Sequence, residues 1–176
     1  HILLAVTGMS PQVVTETLYA IHTEQRRWPD EIRVITTRLG AERVAHSLIE
    51  EGFLARLCRD YGLDEPAFSR DHIMVVPDAD GMPVDDARTV SDHEALADFI
   101  TRTVCELTRE PEGGGPADSL HASLAGGRKT MTFYLGYAMS LFARPEDCLS
   151  HVLVSEAFEN QPGFFYPTPE SRFFTT

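Results

Sequence analysis

The chain has 176 residues, of which 43% are hydrophobic and 24% are charged, so it is long enough to bury a core of its own. We expect a single domain over residues 1–176, with an aromatic and proline-containing C-terminal tail over residues 156–176. The 27 acidic residues exceed the 15 basic ones and give a formal net charge of −12. This charge argues against binding of long nucleic acid, which needs a basic surface, but a short anionic ligand needs only a local cluster of donors.

Composition also speaks to location and to metal binding. No apolar run approaches the roughly 18 residues that would span a bilayer, and the N-terminus lacks a signal-peptide pattern, so we expect a cytoplasmic protein that does not bind membranes. The three cysteines, Cys58, Cys105 and Cys148, are widely spaced and are expected to be core thiols. The seven histidines never pair at metal-ligand spacing, and we expect neither a metal nor a cofactor.

Short apolar strands alternate along the chain with amphipathic helices. Strands are predicted at ILLAV (Ile2–Val6), IRVIT (32–36), HIMVV (72–76), LHASL (120–124) and HVLVS (151–155). Helices are predicted from Ser10 and Pro11 onward, over residues 45–61, from a capping box at Ser91 and Glu94 onward, and over residues 130–142. No internal repeat is evident.

This alternation predicts a doubly wound α/β fold, with a mainly parallel, Rossmann-like sheet and helices on both faces. In the common strand order 3-2-1-4-5, the first and fourth strands are neighbours and a crevice opens at their carboxyl ends. The segments TGMSP and AGGRKT follow these two strands. They would therefore lie side by side above two helix N-termini, a place that favours phosphate.

TGMSPQ (residues 7–12) begins a predicted helix. Gly8 would let the backbone approach a ligand, and Ser10 and Pro11 stand at the positions of an N-cap and a first helical residue. Ser10 is therefore either a helix cap or a ligand-binding hydroxyl, and the segment alone does not separate these interpretations.

AGGRKTM (residues 125–131) carries two cations at a predicted helix N-terminus, where the helix dipole disfavours positive charge. An anionic ligand would compensate for the placement of Arg128 and Lys129, while Gly126 and Gly127 free the backbone. Lys129 is the only lysine in the chain and is the leading site candidate. The loop lacks Walker spacing, and TGMSPQ lacks the dinucleotide fingerprint.

Three segments together resemble the CRISPR-associated Rossmann fold (CARF) proteins of type III CRISPR systems: VTGMSPQVVTETLYA (6–20), LHASLAGGRKTMTFYLGYAMSLF (120–142) and LSHVLVSEAFE (149–159). The resemblance implies a homodimer whose merged crevices hold a cyclic oligoadenylate, usually the tetra-adenylate, between these loops. Ser10 and Lys129 are then the expected catalytic residues. The expected ligand-binding residues are Thr7, Gly8, Met9, Gln12, Thr37, Arg38, Gly126, Gly127, Arg128 and Thr130.

The expected activity is metal-independent cleavage of the ring to linear products with a 2′,3′-cyclic phosphate. We expect a stand-alone ring nuclease, since few residues follow the fifth strand. The leading alternative is a sensor domain that binds the ring without cleaving it and controls a HEPN-type ribonuclease or another partner. A nucleotide-cofactor enzyme ranks third, because Thr36, Thr37 and Arg38 stand where a ribose-binding acidic residue would be needed.

Overall fold

A computed structural model describes residues 1–78, 80–111, 117–155, 158, 161 and 163–170. Its strands are β1 (Ile2–Val6), β2 (Glu31–Thr36), β3 (Ile73–Val75), β4 (Leu120–Ser123) and β5 (Cys148–Ser150). Its α-helices are α1 (Gln12–Thr23), α2 (Arg38–Val44), α3 (Phe53–Tyr61), α4 (Val90–Leu107) and α5 (Lys129–Phe142). All strand pairs are parallel, and the order β3-β2-β1-β4-β5 confirms the predicted doubly wound α/β sheet.

β1 lies at the centre of the sheet, and its alternating side chains divide the core into two layers. Leu4 and Val6 pack in the layer that α4 and α5 cover, whereas Leu3 and Ala5 pack in the layer that α1 and α3 cover. All five residues of β1 are buried. A strand buried on both faces is typical of a parallel sheet covered by helices on each side.

Two predicted elements differ from the structure. The predicted helix over residues 45–61 is divided, because α2 continues into a π-helical turn (Ala45–Glu50) and Gly52 then adopts a left-handed conformation with φ of 72° before α3 begins. The last strand lies at Cys148–Ser150, ahead of the predicted 151–155. Residues 151–154 lie beyond this strand and border the cavity described below.

Neither of the helix caps considered from the sequence, at Ser10 and at Ser91, forms in the structure. Pro11, not Ser10, precedes the first residue of α1 and accepts a hydrogen bond from the backbone N–H of Val14, while Ser10 makes no side-chain cap. At α4 the capping box consists of Thr89 and Asp92, two residues ahead of the predicted pair at Ser91 and Glu94. Both residue pairs have the spacing of a capping box, so the sequence pattern alone does not show which pair caps α4. The cap forms where the backbone geometry lets a side chain reach a free N–H group.

Part of the predicted tail packs on the α1 and α3 side of the sheet. Tyr166 is buried and its hydroxyl donates to Asp60 at 2.9 Å, while Phe165 stacks on Phe53 with ring centroids 3.6 Å apart. The hydroxyl of Thr15 on α1 donates to the backbone carbonyl of Phe165 at 2.7 Å. Residues 156, 157, 159, 160, 162 and 171–176 of this tail lie outside the described residues.

We expect Thr89→Ala to lower the free energy of unfolding by about 0.5 to 2 kcal/mol, because it removes the side chain that accepts from the Asp92 N–H at 3.1 Å. Ser91→Ala alters the residue that the sequence suggested as the cap, and it should change the free energy of unfolding by less than about 0.5 kcal/mol. Urea denaturation of both variants measures the difference. A larger loss for Ser91→Ala would contradict the observed cap.

Candidate functional site

A cavity of about 850 Å³ opens at the carboxyl ends of the central strands, where the loops after β1 and β4 meet. This is the crevice that the strand order predicts. Most of the predicted site residues line it: Gly8, Met9, Ser10, Gln12, Thr37, Gly126, Gly127 and Arg128.

Lys129 lies outside this cavity and lines a neighbouring one of about 740 Å³. Four residues border both cavities: Ala125, Gly126, Gly127 and His151; we call the shared Gly126 and Gly127 the glycine ridge. Ser10 and Lys129, the two predicted catalytic residues, therefore lie on opposite sides of the glycine ridge. A ligand that contacts both must extend across it.

Three other predicted residues line neither cavity. The Thr7 side chain is buried and its hydroxyl donates to the Ser10 carbonyl at 2.8 Å, so it fixes the shape of the loop. Arg38 pairs through its guanidinium with Asp85. The Thr130 hydroxyl is buried at the start of α5 and has no hydrogen-bond partner in the part of the chain that the structure describes.

The two loops touch through their glycines. A Cβ atom on Gly126 would lie 2.7 Å from Cγ2 of Val13 and 2.8 Å from the carbonyl oxygen of Val6, so only glycine fits there. Gly127 has a φ of 83°, which side chains disfavour. A Cβ atom on Gly8 would lie 3.9 Å from the Cα of Gly127. Gly126 is therefore required because the neighbouring atoms leave no room for a side chain. The sequence had instead suggested that this glycine gives the backbone freedom that a bound ligand would need.

Ser10 borders the cavity, and its hydroxyl does not form an N-cap hydrogen bond with α1. Ser10 is exposed, and no hydrogen bond of its side chain is found among the described residues. Thr37, by contrast, accepts from the Gly40 N–H at 3.4 Å and so serves α2 as its N-cap while it lines the cavity. Ser10 therefore does not cap α1, and its role in ligand binding stays a prediction.

Carboxylates from the connection between β3 and α4 neutralise the arginines of the crevice. Asp86 accepts from Nε and Nη2 of Arg128 at 2.7 and 2.5 Å, and also from Nε of Arg88 at 2.9 Å. These hydrogen bonds hold the pKa of Asp86 below its usual value, and Arg38 does the same for the pKa of Asp85. Sequence reasoning missed both aspartates because they lie in an irregular connection. Lys129 has no ion pair within the described part of the chain.

Glu16 is a second residue that sequence reasoning missed. It lines the same cavity from α1, and burial alone raises the pKa of its carboxyl group to about 7. The signal was available in the spacing, because Glu16 follows Gln12 by four residues and so shares its face of the helix.

The sequence model of the CRISPR-associated protein NE0113 family matches residues 10–176, which include the site except for the first residues of the β1 loop. The chain belongs to the CRISPR-associated NE0113 family. A search of curated proteins finds no match.

Two solved structures resemble this NE0113 family member weakly. One is a protein from Listeria monocytogenes described as a UDP-N-acetylglucosamine 2-epimerase, with 12% identity and a TM-score of 0.38 over 86% of this chain and 30% of that one. The other is UDP-GlcNAc 2-epimerase from Neisseria meningitidis bound to UDP-GlcNAc, with 10% identity and a TM-score of 0.40 over 98% of this chain and 36% of that one. This chain spans about a third of their length, and similarity this low says nothing about function.

Among the residues that the structure describes, no group of three or more His, Cys, Asp or Glu side chains is placed to hold a metal ion. Within the same residues, none of the helices combines the length and the apolar character needed to cross a bilayer.

We expect Gly126→Ala to lower the free energy of unfolding by about 1 to 3 kcal/mol, because the new methyl group would overlap Val13 and the Val6 carbonyl. Gly8→Ala is the matched control in the facing loop, where the nearest atom leaves room, and should change stability by less than about 0.5 kcal/mol. Urea denaturation of the two variants provides the measurement. Equal losses would show that the contact between the loops is looser than described.

Proposed function

We propose that this chain binds a cyclic oligoadenylate in the crevice, with cyclic tetra-adenylate as the favoured ligand. We further propose that it cleaves the ring without a metal to linear products that end in a 2′,3′-cyclic phosphate. The observation that carries the proposal is the meeting of two helix N-termini, those of α1 and α5, at one crevice. Free N–H groups and the positive ends of two helix dipoles there suit an anionic ligand with repeated phosphates.

Membership of a CRISPR-associated family supports this choice of anion over other phosphate compounds. The loops TGMSP and AGGRKT carry the resemblance to CARF proteins, and both border the crevice. The choice of ligand rests on this resemblance, and the position of the two loops at the crevice supports it.

The proposed reaction uses a nucleophile that belongs to the substrate. A ribose 2′-oxygen attacks its adjacent 3′-phosphate, so that the bond from the 2′-oxygen to phosphorus forms and the bond from phosphorus to the 5′-oxygen breaks. The proton of the 2′-hydroxyl leaves and the 5′-oxygen gains one. The protein needs to hold the three reacting atoms in line and to stabilise the phosphoryl oxygens. Ser10 would orient the 2′-hydroxyl or donate to the phosphate.

Lys129 would stabilise the phosphoryl charge or help to protonate the leaving 5′-oxygen. Its position across the glycine ridge suits a ring that spans both cavities, because a ring of four nucleotides is larger than the single drug-sized ligand that a cavity of this volume holds. Arg128, at the N-cap position of α5, would contact a phosphate after it gives up its contact with Asp86.

A sensor that binds the ring without cleaving it is the second candidate. The separation of Ser10 from Lys129 by the Gly126 and Gly127 ridge favours it, since no lysine stands next to the hydroxyl within one cavity. The same crevice then supplies binding alone, and a bound ring would act through a partner.

The test is incubation of the protein with cyclic tetra-adenylate and cyclic hexa-adenylate in EDTA, with products identified by mass and affinity measured by calorimetry. We expect Lys129→Ala to weaken binding by about 10- to 150-fold, the usual effect of losing a charge-assisted phosphate contact. Ser10→Ala should reduce cleavage and leave the melting temperature unchanged, because no cap is lost.

The matched control is Arg102→Ala, which removes an exposed cation on α4 that lines neither cavity. It should bind and cleave as the parent does. If the protein binds the ring but forms no linear products, its function is that of a sensor. Equal affinity of Lys129→Ala and the parent would remove Lys129 from the site.

We also propose that the chain forms a two-fold homodimer through one face of α5. Phe133, Tyr137 and Leu141 recur at four-residue spacing and are 65%, 55% and 56% exposed; we call them the α5 stripe. α5 contains no acidic residue, so two copies of this strongly acidic chain can approach there with little repulsion. Phe133 and Tyr137 also line the cavity of Lys129, so a second copy on the stripe would extend the site.

We expect the parent protein to sediment as a dimer at micromolar concentration and Tyr137→Glu to sediment as a monomer, because the new carboxylate would be buried against its symmetry mate. Val90→Glu is the matched control, since Val90 is an exposed apolar residue at the start of α4 and does not belong to the stripe. It should remain dimeric. A monomeric parent, or a dimeric Tyr137→Glu, would contradict this interface.

A further inference from the structure

Glu16 is a carboxyl group in the crevice that the proposed reaction does not use. It lies on the α1 wall, partly buried, and it forms neither a hydrogen bond nor an ion pair with any residue that the structure describes. The two arginines that line the cavity, Arg88 and Arg128, both form ion pairs with Asp86 and not with Glu16. A partly buried carboxyl group that has no hydrogen-bond partner in the protein can form a hydrogen bond with a bound ligand.

The position of Glu16 along α1 separates it from the phosphate-binding end of the helix. Gln12 is the first residue of α1, and Glu16 lies about 6 Å further along the helix axis. A phosphate at the helix N-terminus would thus avoid the carboxyl group. The ribose holds a nucleobase several ångströms from its phosphate, so a base whose phosphate sits at this N-terminus can extend along the cavity wall toward Glu16.

We propose that Glu16 recognises the adenine base of the bound ring through its protonated carboxyl group. This inference rests on the proposed function and adds a specificity-determining residue to it. A carboxylic acid offers one O–H donor and one carbonyl acceptor. Adenine offers the complementary pair on one edge, an N6 amino donor beside the N7 acceptor, whereas guanine presents two acceptors, O6 and N7, on the same edge.

Burial of the carboxyl group supplies the required protonation state, since it raises the pKa of Glu16 to about 7. The acid form predominates below pH 7, and above it the ionised form loses its donor and repels the ring phosphates. Affinity should therefore fall as the pH rises through 7. The other charged or titratable groups lining the cavity are Asp85, Asp86, Arg88, Arg128 and His151.

The experiment is calorimetric titration of the full chain with cyclic tetra-adenylate at pH 6 and pH 8, for the parent, Glu16→Gln and Glu16→Ala. The parent should bind about tenfold more weakly at pH 8, as the protonated fraction falls from about nine-tenths to about one-tenth. Glu16→Gln keeps one donor and one acceptor at every pH, so it should bind equally well at both. Glu16→Ala should bind about tenfold more weakly than the parent at pH 6.

A second probe, cyclic tetra-inosinate, carries an oxygen in place of the N6 amino group. The parent should prefer the adenylate ring, and Glu16→Ala should lose that preference. Thermal melts at both pH values confirm that the variants are folded, which the near-isosteric Gln variant in particular should be. These readouts depend on binding alone and not on cleavage.

The outcomes separate the two proposals. A parent that binds neither ring at either pH overturns the proposed function, and the role of Glu16 with it. A parent that binds cyclic tetra-adenylate, with unchanged affinity and base preference in both variants, overturns only the role of Glu16. A pH dependence that persists in Glu16→Gln also overturns it.

Discussion

The parallel pairing of β1 with β4 is the constraint on which the rest of the structure depends. Their register, from Ile2 opposite Leu120 to Ala5 opposite Ser123, ends both strands at the same edge of the sheet. The loops that follow must then share one space, and Gly126 fills it against Val13 and the Val6 carbonyl. The crevice is thus shaped by backbone packing that exists before any ligand binds.

The same constraint explains why the fold and much of the site could be predicted from the sequence. Alternating strands and helices allow few parallel topologies, so the position of the crevice followed from the order of the elements. Gly8, Ser10, Gly127 and Arg128 were found because they lie in loops fixed to those strands. Lys129 was found by its uniqueness, but its place across the ridge depends on the turn at Gly127, which strand order does not specify.

What could not be predicted depends on contacts between segments far apart in sequence. Asp86 reaches Arg128 across 42 positions of chain, from a connection without helical or strand periodicity. In the sequence, Glu16 looks like an ordinary solvent-exposed helix residue. Its pKa is raised because the folded chain buries it, and the sequence does not show this burial. The cap at Thr89 was missed for a local reason, since Ser91 and Glu94 repeat the same pattern two residues later.

The charge arrangement of the crevice bears on where an anionic ligand would gain its affinity. Arg128 already holds Asp86, so a phosphate at Arg128 gains only the difference between two ion pairs, which is small for exposed groups. Lys129 has no carboxylate to give up in the described part of the chain, and the backbone N–H groups at the start of α1 and α5 exchange only water. We therefore expect Lys129 and the helix N-termini to contribute most of the affinity for a phosphate. The arginines should contribute mainly to specificity, because a weakly charged ligand would not displace the aspartate.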